Sequence, residues 1–323
     1  MSNIATICVY SDPHLSSKNY GAHNNYPKES IELFEKIVNV AKDRKATHVM
    51  GLGDFTYGRF NTLEYRTKVE DLLNELNNLT HNNHYALEGN HDRATYGMTE
   101  YQYYIANGRI KPATNLTIGN LHISMVNYGK IKETEMNIDN EDVNAVNIVL
   151  AHDYLKFKDT LLPNFGKEIV LDNLENLFGT DILICGHVHK IMSFSGSICN
   201  GTTAHETKVL YPGCMMRPSY REGHMDTKGQ IIVINVTDNG SIEFDIEEFD
   251  LPPIEESFNI EKIDERQEEK IEKESRVDIS DIVKELNAHD RTAGNPEDII
   301  EGLTSVDDKY KSKAIELLKL AQG

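Results

Sequence analysis

The sequence predicts an α/β fold, and three observations carry that expectation. Short apolar, β-branched runs alternate with segments of helical periodicity as far as Cys185. The runs are apolar enough to be buried strands. From Ile191 onward the pattern turns β-rich, with turn signals between runs.

Taken in order, Ile4 to Tyr10 is the first buried strand. Pro27 to Arg44 has helical spacing through Ile31, Leu33, Phe34, Ile37, Val38 and Ala41. His48 to Leu52 is a second strand. Asn61 to Leu79 is helical, with Leu63, Val69, Leu72, Leu73 and Leu76 on one side. His84 to Leu87 is a third strand, and Leu116 to Val126 reads as a hairpin turning at Gly119-Asn120. Asn147 to Leu150 and Asp181 to Cys185 are further buried strands, with a helix expected between them at Glu168 to Phe178. Lys208 to Tyr211, Gln230 to Val236 and Ser241 to Phe249 complete the β-rich part. Asp238-Asn239-Gly240 turns the last pair into a hairpin.

After Leu251-Pro252-Pro253 the composition changes. The domain expected over residues 1–253 is followed by an acidic linker over 254–277 and a helical segment over 278–323. Ile279, Ile282, Val283 and Leu286 form one short amphipathic stripe. Ile299, Ile300 and Leu303 form a second after Pro296, and Ala314, Ile315, Leu317 and Leu318 a third. Such a tail buries too little surface alone and needs a partner for its stripes.

The net charge is −19, and residues 238–323 contribute −14 of it from 25 acidic and 11 basic side chains. An acidic chain does not hold nucleic acid by bulk electrostatics, so any such contact rests on local Lys and Arg, on metal ions or on a partner. No apolar run approaches the ~20 residues of a membrane span. No export signal is read at the N-terminus, which points to the cytoplasm. Cys8, Cys185, Cys199 and Cys214 are scattered and read as buried thiols rather than disulfides. The absence of a CxxC gives no support to a thiolate zinc site.

The chemistry lies at the strand ends. Asp12-Pro13-His14 follows the first strand, Gly53-Asp54 the second and Gly89-Asn90-His91-Asp92 the third. His152-Asp153 and Gly186-His187-Val188-His189 follow the next two. Ligands gather at the carboxyl ends of strands in α/β sheets, so these groups are expected to converge. Two divalent ions ~3.5–4 Å apart can clamp a phosphate and generate the attacking hydroxide. Mixed imidazole and oxygen donors suit Mn, Fe or Zn better than Ca or Mg. A single histidine or aspartate at a strand end is usually structural; five such sites in series are not. His23, His48, His81, His84, His122, His205, His224 and His289 match no motif and read as surface or polar packing residues. Tyr101, Tyr103 and Tyr104 read as helix packing rather than as a base-stacking platform.

The motifs D-x-H, G-D, G-N-H-D, H and G-H-x-H, in this order over Asp12 to His189, resemble the calcineurin-like metallophosphoesterase superfamily. That resemblance implies a four-layer αββα sandwich of two facing mixed sheets flanked by helices, with a C-terminal helical tail. It implies that Asp12, His14 and His189 hold a first metal, that Asn90, His152 and His187 hold a second, and that Asp54 bridges both. His91 would then assist the leaving oxygen, and Asp92 would orient His91. His187 and His189 would divide between the two ions from one side of an extended segment, with Val188 turned to the core.

A narrower likeness follows. Tyr211-Pro212-Gly213-Cys214, then Arg217 and Ser219, resembles the YPGS..R.S stretch of SbcD-type DNA repair nucleases. It implies a Mn-dependent DNA exo/endonuclease acting in repair or recombination. It also implies a homodimer with an SbcC-type ABC ATPase that carries a coiled coil, the tail serving as its dock. Arg217 and Tyr57 are the candidate substrate contacts. Relatives often have a histidine where Tyr57 stands, and their larger capping domain is reduced or absent here. The competing expectation is a small-substrate phosphatase or cyclic-nucleotide phosphodiesterase of the same superfamily.

Overall fold

A computed structural model of the chain describes residues 2–20, 22–57, 61–160, 168–220 and 227–266, with Lys311 and Ile315. Met1–Phe258 forms one compact unit and Asn259–Gly323 a second. In the second unit, residues 260–266 are helical. The end of the acidic linker and the amphipathic helices expected over 278–323 lie outside the described residues.

In chain order the first unit opens with β1 (Asn3–Tyr10), α1 (Tyr26–Asp43), β2 (His48–Gly51), α2 (Leu63–Leu79) and β3 (His84–Ala86). Next come α3 (Glu100–Ala106), β4 (Lys111–Pro112), β5 (Asn115–Ile118), β6 (Leu121–Val126) and β7 (Val146–Ala151). Two short strands follow, β8 (Leu155–Lys156) and β9 (Ile169–Val170), and then β10 (Ile182–Cys185). The last are β11 (Ile191–Asn200), β12 (Thr203–Pro212), β13 (Lys228–Thr237), β14 (Ile242–Asp250) and the short α4 (Ile254–Ser257).

These strands form two six-stranded sheets, ordered β14-β13-β1-β2-β3-β4 and β11-β12-β10-β7-β6-β5. The first has a parallel run from β1 to β4, with β13 antiparallel to β1. The second is parallel through β6, β7, β10 and β12. This is the expected pair of large mixed sheets with flanking helices. Ile7, Val9, Met50 and Leu52 of the first sheet share a core with Ile123, Ile148, Leu150 and Ile184 of the second. On the other face of the first sheet, Cys8, Tyr10 and Val49 pack on Phe34, Ile37, Val69 and Leu73 of α1 and α2. Burial on both faces explains why these strands are apolar throughout, each large side chain contributing roughly 1.5–3 kcal/mol.

Local signals set the helix starts. Asn25 caps α1 by accepting from the Lys28 N–H, with Pro27 in the first turn, and Thr62 caps α2 through the Tyr65 N–H. Thr99 and Gln102 form a capping box on α3, whose Tyr101 and Tyr104 are buried.

The helix expected over Glu168–Phe178 is absent. The segment holds β9, paired with β8, and one 3₁₀ turn at Glu175–Leu177. The apolar spacing of three is met by successive i to i+3 turns, in which Leu174, Leu177 and Thr180 donate to Leu171, Leu174 and Leu177. The β-branched pair Ile169-Val170 is taken up by the ribbon. At the other end, residues 254–258, read from sequence as linker, close the first unit. The Asn24 N–H donates to the Ser257 carbonyl at 2.9 Å, and Phe258 packs on the His23 ring.

Candidate metal centre

Every ligand-bearing turn leaves the carboxyl end of a parallel strand. Asp12 and His14 follow β1, Asp54 follows β2, and Asn90 and His91 follow β3. In the facing sheet His152 follows β7, while His187 and His189 follow β10. Asp12, His14, Asp54 and His187 all have positive φ, at 46°, 46°, 47° and 76°. Non-glycine residues rarely adopt this conformation, and it costs about 1–3 kcal/mol at each. The turn at His187 therefore is not the extended segment expected from sequence. Val188 is nevertheless buried as expected.

The donors fall into two groups. In one, Asp12, His14, Asp54 and His189 place ligand atoms within 4.8 Å of one another; in the other, Asp54, His152 and His187 do so. Asp54 belongs to both, and the two histidines of the G-H-x-H motif divide between them. In the first group His14 Nε2 and His189 Nε2 are 3.1 Å apart, and Asp12 Oδ1 is 3.7 Å from His189 Nε2. In the second, Asn90 Oδ1 is 3.1 Å from His152 Nε2 and 2.8 Å from His187 Nδ1, and Asp54 Oδ2 is 3.3 Å from His152 Nε2.

The donor chemistry fits two divalent cations. The Nδ1–H of His152 donates to the Leu52 carbonyl at 2.6 Å, which leaves the Nε2 lone pair facing two oxygens that are themselves acceptors. Acceptors converging on acceptors call for a positive charge between them. Burial, assisted by neighbouring imidazoles, holds His14 well below the usual histidine range and His187 down at about 4, so both are neutral. Burial by itself would raise Asp54, but His152, through charge and a hydrogen bond, together with His14 and His91, holds it well below the usual carboxylate range. Burial opposes the protonation of His152, yet Asp54 pulls it up to about 9. That proton marks where a metal ion belongs.

Close approach paves the floor of the site. A Cβ on Gly53, at φ +100°, would lie 2.5 Å from His152 Nδ1, and one on Gly186 would lie 2.6 Å from the Leu52 carbonyl oxygen.

His91 stands exposed at the rim. Its N–H donates to Asp54 Oδ1 at 2.8 Å, and its ring lies 4.7 Å from Tyr57 and 5.2 Å from His14, centroid to centroid. Asp92 does not sit behind it. The buried Asp92 carboxylate accepts from the Phe55, Thr56 and Gly89 N–H groups at 2.9–3.0 Å and from the Thr56 hydroxyl at 3.2 Å. The expected orienting role of Asp92 fails because its oxygens are already engaged. Four donors saturate both oxygens, so Asp92 ties the turn after β2 to the turn after β3 and does not orient His91.

Arg217 is buried and donates from Nη1 to the Pro252 carbonyl. Two further residues were not expected at the site. Cys214 groups with His14 and His189, its Sγ within the same 4.8 Å reach. Tyr128 places its ring 5.6 Å from His187 and 6.0 Å from His152. Tyr128 follows β6, so the apolar run ending at Val126 was a sixth strand-end signal.

The sequence profile of a family described as calcineurin-like phosphoesterase matches residues 5–191, well over half of the chain. Among solved structures, a dimetal phosphatase from Danio rerio is 10% identical, with a TM-score of 0.42 over 80% of this chain and 100% of that one. Yfce, a phosphoesterase from E. coli, is 14% identical, with a TM-score of 0.34 over 76% of this chain and 99% of that one. No curated protein matches the chain. No helix among the described residues is long and apolar enough to cross a membrane.

Proposed function

The chain belongs to the calcineurin-like phosphoesterase family, and on that premise we propose that it is a Mn²⁺-dependent DNA exo/endonuclease, the nuclease subunit of an SbcCD-like repair or recombination complex. The observation that carries the hydrolytic part is Asp54. It is common to both donor groups and also anchors the main chain of the exposed His91.

Asp12, His14, Asp54 and His189 would hold one ion, and Asn90, His152, His187 and the shared Asp54 the other. When bound, such a pair supplies Lewis acidity at the phosphoryl oxygens and an activated water. The chain's own residues do the rest. His91, at the rim, delivers a proton to the leaving oxygen. Tyr57 packs edge-on against His14 at 5.3 Å and on His91, which limits the paths a substrate strand can take to the donors. Arg217, whose Nη1 donates to the Pro252 carbonyl, is proposed as a phosphate contact through its guanidinium.

The DNA part is supported by the YPGC..R.S stretch, which the fold brings to the site: the Cys214 Sγ–H donates to the Asp12 carbonyl at 3.0 Å. Mn²⁺ suits the mixed nitrogen and oxygen donors. The segment over 278–323 is proposed as the dock for an SbcC-type ATPase, and the enzyme as a homodimer.

The test is purified protein with Mn²⁺ and end-labelled single- and double-stranded DNA, beside bis-para-nitrophenyl phosphate, for wild type and His91→Ala. Metal-dependent shortening of DNA that His91→Ala abolishes is the expected result. Turnover of mononucleotides or phosphomonoesters with intact DNA, unchanged when an SbcC-type ATPase is added, would overturn the nuclease assignment in favour of a small-substrate phosphatase.

A further inference from the structure

We infer that Cys214 is a ligand of the first metal, giving that ion a sulfur donor beside its imidazoles and carboxylates. The inference rests on the dimetal reading of the site and adds to it a residue that the motif pattern does not contain.

Two observations converge. Cys214 Sγ lies within 4.8 Å of ligand atoms of both His14 and His189. The sulfur is also held in place. The Cys214 N–H donates to the His189 carbonyl at 3.3 Å, which straps the thiol to one of its partners. The Met216 N–H donates to Sγ at 3.4 Å, a bond that supports negative charge on sulfur.

The coordination step balances simply. The thiol proton, directed at the Asp12 carbonyl in this structure, leaves to solvent as the sulfur–metal bond forms, and the hydrogen bond to Asp12 is exchanged for that bond. A thiolate makes this donor set softer than that of the second position, which holds only nitrogen and oxygen, so the two positions differ in kind.

The experiment uses the full chain freed of metal by chelation and titrated with Co²⁺ alone, followed by absorbance. The wild type is expected to bind two Co²⁺ and to develop a near-ultraviolet sulfur-to-cobalt band that saturates with one of them. Cys214→Ser is expected to bind two Co²⁺ and to lose the band. X-ray absorption on the Zn²⁺-loaded wild type is expected to show a Zn–S distance of about 2.3 Å, and this decides the matter even if the variant fails to fold. Two bound Co²⁺ with no sulfur band, or only nitrogen and oxygen around Zn²⁺, would overturn the thiol ligand and leave the dimetal site standing. No bound Co²⁺ at all would overturn both.

Discussion

The turns of the first sheet carry both carboxylates, Asp12 and Asp54, and support one another; those of the second carry His152, His187 and His189 and lean on the first. The His14 N–H donates to the Asp54 carbonyl and the Leu15 N–H to that of Phe55, both at 3.0 Å, and Asp92 closes the knot. In the second sheet, His152 is aligned by the Leu52 carbonyl, and the His187 N–H reaches across to both Asp12 oxygens at 3.2 Å. One sheet therefore presets the negative charge with one imidazole, His14, and the other sheet brings in the remaining three ligand histidines. The site exists only at their seam, which makes it a consequence of tertiary structure rather than of either half.

The largest effect belongs to the residue that both donor groups share. Asp54→Ala is expected to reduce bis-para-nitrophenyl phosphate hydrolysis to background and to cost the protein both ions; a variant that keeps two ions by elemental analysis would show that the groups do not depend on a common carboxylate. His91→Ala comes next. It should lower kcat by about 10²–10⁴-fold with two ions still bound, as the proposed role of His91 toward the leaving oxygen rather than the metal requires.

Asp92→Ala addresses the first sheet's self-support. Leaving its buried donors unpaired should cost about 3 kcal/mol in denaturant unfolding, whereas His187→Ala in the second sheet should stay within about 1 kcal/mol. Equal losses would erase the distinction between the sheets. Gly53→Ala tests the seam itself. The added methyl presses on His152 across the interface, so the affinity for the second ion should fall by about 10–100-fold, read by calorimetry.

The smallest effect concerns His84, buried on the helix side of the first sheet with Nε2 2.9 Å from the Tyr10 hydroxyl. Burial pushes it from 6.5 down to about 3, so it is neutral in the folded chain. The unfolded chain takes up a proton below 6.5 that the fold refuses. Stability is thus full above that pH and declines as pH falls through the window toward 3. His84→Asn should flatten this slope in metal-free protein, measured as denaturation midpoints across that range.

Much of the centre is legible in the sequence because each ligand lies within a few residues of an apolar run, and a parallel strand delivers its carboxyl end to the same place as its neighbours. Three features were hidden for different reasons. Asp92 follows His91 in the chain, but the turn sends the two side chains apart, one to four buried donors and the other to the rim. Cys214 has no partner cysteine to flag it, and its histidines lie 25 and 200 positions away in the chain. The pairing of β1 with β13, which sets Ile7 opposite Ile234, leaves no local trace. Glu168–Phe178 misleads because a spacing of three apolar residues serves an α-helix and a chain of tight turns equally well.

The left-handed conformations of Asp12, His14, Asp54 and His187 have a consequence for how the protein changes over generations. Glycine would sit more comfortably at all four positions, and asparagine nearly so, yet neither can do the work of the present side chains. The ligand set is a place where loss of activity is rewarded with a more relaxed backbone. In lineages released from the need for hydrolysis these four positions should drift first, and toward small, left-handed-tolerant residues. A silent descendant of this enzyme would be recognisable by what replaced its metal ligands.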